Sequence, residues 1–272
     1  MSIFQSVVLG IIQGVTEFLP ISSSGHLIIV PWFLGWQEHA LSFDVMLHAG
    51  SLLALLIYFR SDWQRLLKIG LLQLPKRGQR VSIERKMLLY IVIATIPAAL
   101  LGAVFKDKFE ATFRSVISVA AAIGIFSIVI YIAEILGNHK RYIKDLSLKD
   151  SVLIGLCQAL AFIPGISRSA ATMSAGLFLN LKREEAARFS FLLSAPIILS
   201  ASLVELKDIF HQDLSMPRIV LLGGFLASFI SGIISIHFLL GFLKRHNFKV
   251  FVIYRLILAG LIIGLFLMRK SA

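Results

Sequence analysis

At 272 residues, 57 % hydrophobic and only 15 % charged, with a mean hydropathy of +0.86, the chain is too apolar for a soluble domain, where about 45–50 % apolar and about 25 % charged residues are usual. Its formal net charge of +12 does not describe a nucleic-acid-binding face, because most Lys and Arg fall in short loops between apolar stretches, as in a polytopic membrane protein. The single cysteine, Cys157, excludes an internal disulfide framework and fits no metal-binding spacing.

No Lys or Arg precedes Arg60, so the start of the chain lacks the positive region of a cleavable signal peptide. Residues 3–16 are apolar but run into Glu17 and Pro20, too short for a bilayer core that needs about 20 helical residues. Residues 27–36 are shorter still. Between them lie Glu17, Pro20, Ser22, Ser23, Ser24, Gly25 and His26. Polar groups this dense at membrane depth are costly and mark a functional site. The pattern predicts a re-entrant helix pair over about 3–36, with its irregular backbone buried in protein or lining a cavity.

Full spans are predicted at about 42–59, 87–105 and 115–136. A strongly basic loop separates the first two, with eight Lys and Arg between Arg60 and Lys86. Within the first span, Asp44 and His48 share one helix face at i, i+4. They read either as support for the site or as a satisfied polar pair at a helix end. The pattern then restarts. Residues 151–163 form a short apolar stretch ending at Pro164-Gly165, and Ile166-Ser167-Arg168-Ser169 leads into a second short stretch to Leu179. Three more spans follow at about 189–205, 218–241 and 250–268.

The two halves align, Gln13 with Gln158, Pro20 with Pro164 and Ile21-Ser22-Ser23-Ser24 with Ile166-Ser167-Arg168-Ser169, given a one-residue gap near Glu17 offset by Gly165. The expected fold is an all-α polytopic membrane domain made of two repeats. Residues 1–137 hold one re-entrant pair and three spans; residues 150–270 hold a second pair, over about 151–180, and three spans. An odd number of spans per half inverts the second half relative to the first, and paired interrupted segments then mark the binding site. Loops 60–86, 138–150, 181–188 and 242–249 carry 18 of the 27 Lys and Arg, against 7 on the other side. Those loops are expected in the cytoplasm and both termini outside.

Each break is followed by a short helix, expected to begin near Gly25 and near Ala170, and helix N-termini attract anions. The serines before them cap the helix or bind the anion. Arg168, with no acid nearby in sequence, suits a phosphate or carboxylate in bidentate geometry, or pairs with Glu17. Glu17 can act as a general base or hold a divalent cation, His26 can protonate a leaving oxygen, and Ser23 can be a nucleophile. Gln13 lies one turn before Glu17 on the same face. The ligand this set suits is a phosphate-like anion met inside a membrane, hence a lipid phosphate.

The stretches Gln-Gly-Val-Thr-Glu-Phe-Leu-Pro-Ile-Ser-Ser-Ser-Gly-His (13–26) and Pro-Gly-Ile-Ser-Arg-Ser (164–169) resemble the two signature motifs of the bacterial undecaprenyl-diphosphate phosphatases, known for bacitracin resistance. The resemblance covers the whole chain. It implies a plasma-membrane enzyme that removes the terminal phosphate of undecaprenyl diphosphate, regenerating the carrier for cell-wall synthesis, with a divalent cation (Mg or Ca) and chemistry on the outer side. It implies catalytic roles for Glu17, Ser23, His26 and Arg168, with Glu17 also the candidate metal ligand. The substrate-binding candidates are Gln13, Ser22, Ser24, Gly25, Gly165, Ser167 and Ser169. Two positions depart from the family pattern: Gln13 stands where Glu is frequent, and Ala170 where Gly is usual. A polyprenyl diphosphate and membrane lipids are the expected partners, with no nucleic acid; a homodimer is compatible. Attack by Ser23 and attack by water both remain open, as does a rival reading of the repeat as a lipid-phosphate or anion transporter.

Overall fold

In the computed structural model the described residues are 1–37, 39–72, 82–113, 115–210 and 216–271, with side chains not described at 41, 72, 106, 107, 109–111, 204–210, 270 and 271. They form eleven α-helices and no strand, with one isolated bridge between Arg141 and Leu181. The helices are α1 (Ile3–Phe18), α2 (Ser23–Leu34), α3 (Leu41–Tyr58), α4 (Arg60–Leu67), α5 (Ile83–Phe113), α6 (Val116–Leu136), α7 (Leu148–Ala159), α8 (Arg168–Phe178), α9 (Arg183–Phe210), α10 (Arg218–Leu243) and α11 (Lys249–Ser271). Of these, α5, α6, α9, α10 and α11 are long and apolar enough to cross a bilayer. The expected span at 42–59 is α3, which continues into α4 through a bend of 73° and makes a sixth if the pair counts as one.

Both short pairs form, and each begins the same way. Ser2 opens α1 with a capping box to Gln5, and Ser147 opens α7 with one to Asp150, so orphan N–H groups are satisfied where each chain segment enters the helix. One turn on, Ser6 Oγ donates to the Val220 carbonyl on α10 and Ser151 Oγ to the Tyr90 carbonyl on α5, each at 2.5 Å. A further turn on, Gly10 lies so close to α10 that a Cβ would collide with the Gly224 carbonyl, and Gly155 stands in the same relation to Ala94 on α5. Without a hydrophobic drive between helices in lipid, small residues and short polar contacts are what bring backbones together.

Each half thus lays its first short helix on the second long span of the other half: α1 on α10, α7 on α5. The equivalent residues, Ser2 and Ser147, Ser6 and Ser151, Gly10 and Gly155, Gln13 and Gln158, Ser22 and Ser167, are all 145 apart. These contacts therefore need no gap. Gly165 stands opposite Pro20 and Leu19 opposite Pro164, and only the prolines slip by one. Helices α3 and α9 pack against each other, as do α6 and α11, the pairings expected if a two-fold axis runs between the halves.

The breaks differ from expectation in where the new helices start. Ser22 and Ser167 are the N-caps, so Ser23 and Arg168 are the first helical residues, two positions before Gly25 and Ala170. Both caps adopt a backbone that non-glycine residues rarely take, φ 78° and 77°. The strain, about 1–3 kcal/mol each, persists only where the surroundings impose it. Phe18, Phe59 and Phe191 pack edge-on or tilted beneath the first break. Lipid-facing side chains such as Ile125, Ile128, Ile234 and Leu261 stay exposed, as a helix apolar all round requires in a bilayer.

Candidate functional site

The centre of the site is Glu17, at the last turn of α1 and almost fully buried. Its Oε1 accepts from Arg168 Nη2 at 2.5 Å, a contact between residues 151 apart in sequence. Its Oε2 accepts from Ser23 Oγ at 2.6 Å and from Gln13 Nε2 at 3.1 Å, and His48 Nε2 stands 4.0 Å away. The local sequence explains the reach. Pro20 and the strained Ser22 turn the chain so sharply that the first residue of α2 comes back over the last turn of α1. Gln13 is one helical turn below Glu17, so the pair meets on one face.

Arg168 is the first residue of α8. Its second nitrogen, Nη1, donates to the Ser194 carbonyl on α9 at 3.2 Å. The guanidinium is thus braced from two sides, by α1 and by α9. A cavity of about 210 Å³ opens beside it, with Glu17, Ser23, Ser24, His48, Gln158, Ser167 and Arg168 among its polar lining. Its other wall is Ala98 on α5, Ala161 and Phe162 after α7, and Ile197, Ile198 and Ala201 on α9. One end can take an anion: it offers a guanidinium and the N-termini of two helices, where backbone N–H groups point outward. The opposite wall is largely apolar, with Ser202 on α9 its polar member.

Of the residues singled out in sequence, Glu17, Ser23, Ser24, His48, Gln158, Ser167 and Arg168 line this cavity. The others sit behind it. Ser22 Oγ accepts from the Gly25 N–H and Ser167 Oγ from the Ala170 N–H, both at 3.2 Å, so each serves as a cap. Ser169 Oγ donates to the Leu19 carbonyl at 3.1 Å, tying the second break to the first. Gly25 packs on Ile123 and Val119, and Gly165, at φ 100°, packs on the α6 backbone. The Ala170 methyl is fully buried in the core. Gln13 is also fully buried, and its Oε1 has no hydrogen-bond partner.

The two imidazoles divide differently from the expectation. His26 points to α11: its Nε2 meets the Tyr254 hydroxyl and its Nδ1 the Ser22 carbonyl, both at 2.7 Å, and its ring stacks on Tyr254. His48 faces the cavity instead. Its Nδ1 meets the Asp44 backbone carbonyl at 2.8 Å, while the Asp44 carboxylate pairs with His39 at 2.7 Å.

Three contributors were not read as site residues in the sequence. Ser194 offers only a backbone carbonyl, which no motif can announce. Gln158 lines the cavity with an unpartnered Oε1, and its alignment with Gln13 was the available signal. Arg255 was visible as a lone charge inside the last span. Counting loop charges leaves two of the 27 Lys and Arg unassigned, Arg168 and Arg255.

Among the described residues no three His, Cys, Asp or Glu side chains cluster to hold a metal. The donor set is one carboxylate, Glu17; Gln13, which turns its Nε2 to that carboxylate, is fully buried and does not line the cavity. That does not make an all-protein cage, but it fits a cation such as magnesium, which binds through one or two carboxylates and takes its remaining ligands from substrate phosphates and water.

A family model described as bacitracin resistance protein BacA matches residues 6–261. Curated proteins named undecaprenyl-diphosphatase are similar along essentially the whole chain. That of Pelotomaculum thermopropionicum is 45 % identical over 261 residues, covering 96 % of this chain and 95 % of that protein. The one from Caldicellulosiruptor bescii is 44 % identical over 271 residues, 99 % of each. That of Moorella thermoacetica is 41 % identical over 270 residues, 99 % of this chain and 100 % of that protein.

Proposed function

The chain belongs to the bacitracin resistance protein BacA family, and from that membership we infer that it is an undecaprenyl-diphosphatase. It hydrolyses undecaprenyl diphosphate to undecaprenyl phosphate and orthophosphate in a multi-pass membrane domain, recycling the lipid carrier for cell-wall synthesis. The observation that carries this reading is full-length similarity to proteins of that name. The transporter reading accounts for an anion site, but not for a hydroxyl donating to a carboxylate beside it.

In the mechanism we propose, the terminal phosphoryl group lies between the N-termini of α2 and α8, with the Arg168 guanidinium on its oxygens. Glu17 takes the proton of Ser23 Oγ as that oxygen bonds to phosphorus and the anhydride P–O bond breaks. The carboxyl passes the proton to the departing lipid phosphate. Restored as a carboxylate, it then takes a proton from water, which attacks the phosphoserine; Ser23 leaves the phosphorus with that proton. The 2.6 Å contact between Ser23 Oγ and Glu17 Oε2 supports Ser23 over water as the first nucleophile. Arg168 matters most in the transition state, where the equatorial oxygens are held by its planar fork. His26, with both ring nitrogens engaged, keeps the shape of the first break. The prenyl chain runs along the wall of Ala98, Phe162 and Ile198 and leaves between α5 and α9.

Glu17 is the group we assign to a divalent cation, which when bound would neutralise diphosphate charge. Each chain carries Glu17, Ser23 and Arg168 together, so turnover per chain should not depend on whether two copies associate. We read the halves as an inverted repeat, with loops 138–150, 181–188 and 242–249 in the cytoplasm and both termini outside. Residues 73–81 of the basic loop 60–86 lie outside the described residues, as do Arg114 and the side chains of Lys106, Lys207 and Lys270. Cysteines placed at positions 140 and 271 in a Cys157→Ser background should label from inside and outside respectively; the reverse pattern would overturn the orientation. The function itself is tested with purified protein in detergent and a long-chain polyprenyl diphosphate. Orthophosphate should appear, and a chelator should slow it. No release from folded protein would sink the reading.

A further inference from the structure

Arg255, in the second turn of α11, is the largest fully buried side chain among the described residues, and among them it makes no ion pair. A charged group so placed is costly unless all its donors are satisfied. Here each of its three nitrogens has an acceptor, and the acceptors come from three separate segments. Nε donates to Ser127 Oγ on α6 at 3.1 Å, and Nη1 to the Pro20 carbonyl in the first break at 3.2 Å. Nη2 lies 3.1 Å from the Gly165 carbonyl and 3.3 Å from that of Ile166, both in the second break, and 3.2 Å from that of Ile123 on α6.

The carbonyls concerned are the ones each break leaves without a helical partner. Pro20 precedes Ser23 by three residues and Ile166 precedes Arg168 by two. Tyr254, next to Arg255, adds an indirect link, since it holds His26 and His26 holds the Ser22 carbonyl. Only a guanidinium offers five donors in one plane, fanned widely enough to reach two loops and a helix at once. We infer that Arg255 is a positioning residue: it binds carbonyls from both breaks, fixes the distance between them, and so keeps Ser23 and Arg168 at one cavity. This rests on the phosphatase reading above.

The test is steady-state orthophosphate release from polyprenyl diphosphate by folded, monodisperse protein in detergent. Arg255→Lys keeps the charge and loses the fork, so kcat should fall by about 10²-fold, the scale of an ångström-level misplacement, while KM stays within about threefold. In Arg255→Gly, added methylguanidinium should restore kcat at least about tenfold, and ethylammonium, which has the charge without the fork, should not. A folded Arg255→Lys protein with wild-type kcat overturns the assignment, as does equal rescue by ethylammonium. Should neither variant fold, Ser127→Ala removes one acceptor and leaves the packing. A lowered kcat at unchanged thermal midpoint then supports the role, and an unchanged kcat refutes it. Wild-type protein run in parallel separates the two ideas: its silence would sink the phosphatase reading, whereas active wild type beside active Arg255→Lys sinks only the positioning role.

Discussion

The two breaks share one backbone and differ in chemistry. Ser22 and Ser167 have the same positive φ, cap the same position of the following helix at 3.2 Å, and face Ser24 and Ser169 at 3.4 and 3.0 Å. Between the paired serines, one break has Ser23 and the other Arg168. The helix before the first break carries Glu17, where the second half has Phe162 at the same 145-residue offset. Even the flanking long helices match: His48 on α3 approaches Glu17, and Ser194 on α9 accepts from Arg168. A duplicated frame has thus been split into an acid and hydroxyl on one side and a cation on the other. Two identical breaks would set like charges against each other; the divergence turns the meeting point into a site.

The largest effects should come from the residues in which the breaks differ. Glu17→Gln keeps the shape and loses the base, and is expected to lower kcat by about 10²–10⁴-fold. Ser23→Ala should be equally damaging, with wild-type phosphoserine trapped in rapid-quench experiments on labelled substrate. Near-normal turnover in Glu17→Gln would remove the first break from the chemistry, whereas no phosphoserine would make water, rather than Ser23, the attacking group.

Next comes the cation. Arg168→Ala should lower kcat by about 10²–10³-fold, and Arg168→Lys should lower kcat more than it raises KM, because charge survives and bidentate geometry does not. Removing one partner of a buried pair costs about 3–5 kcal/mol of stability. The Glu17→Gln, Arg168→Ala double variant should therefore regain thermal stability over Arg168→Ala and remain inactive. Recovered orthophosphate release would mean that Arg168 serves the fold rather than the substrate.

Where the breaks are alike, paired substitutions should behave alike. Ser22→Ala and Ser167→Ala each lose a cap worth about 1 kcal/mol, so their thermal midpoints should drop together. Ser22→Gly and Ser167→Gly lose less, since glycine takes positive φ without strain. A large difference between the two serines would show that the frames are not equivalent. The smallest effect is expected at the position after the breaks that differs by a methyl, Gly25 against Ala170. A Cβ on Gly25 would meet Ile123 Cδ1 and Ser22 Oγ at 3.2 Å, a mild crowding set against the better helix propensity of alanine. Gly25→Ala should therefore change stability by less than about 1 kcal/mol, as measured by thermal unfolding in detergent.

The sequence by itself determined the class, the alternation of short and long helices, the duplication, and three of the groups that meet, Glu17, Ser23 and Arg168. Those follow from local properties: apolar run length, helix breakers, and polar residues too costly to lie idle at membrane depth. What needed the tertiary structure was direction and distance. Which imidazole faces the cavity depends on how α2 and α3 are rotated: His26 turns to Tyr254, while His48 turns to Glu17. The Arg168–Glu17 contact, the Ser194 brace and the binding of both breaks by Arg255 join residues 26 to 235 positions apart. Helical periodicity assigns a residue to a face, but packing against helices from the other half decides what that face meets.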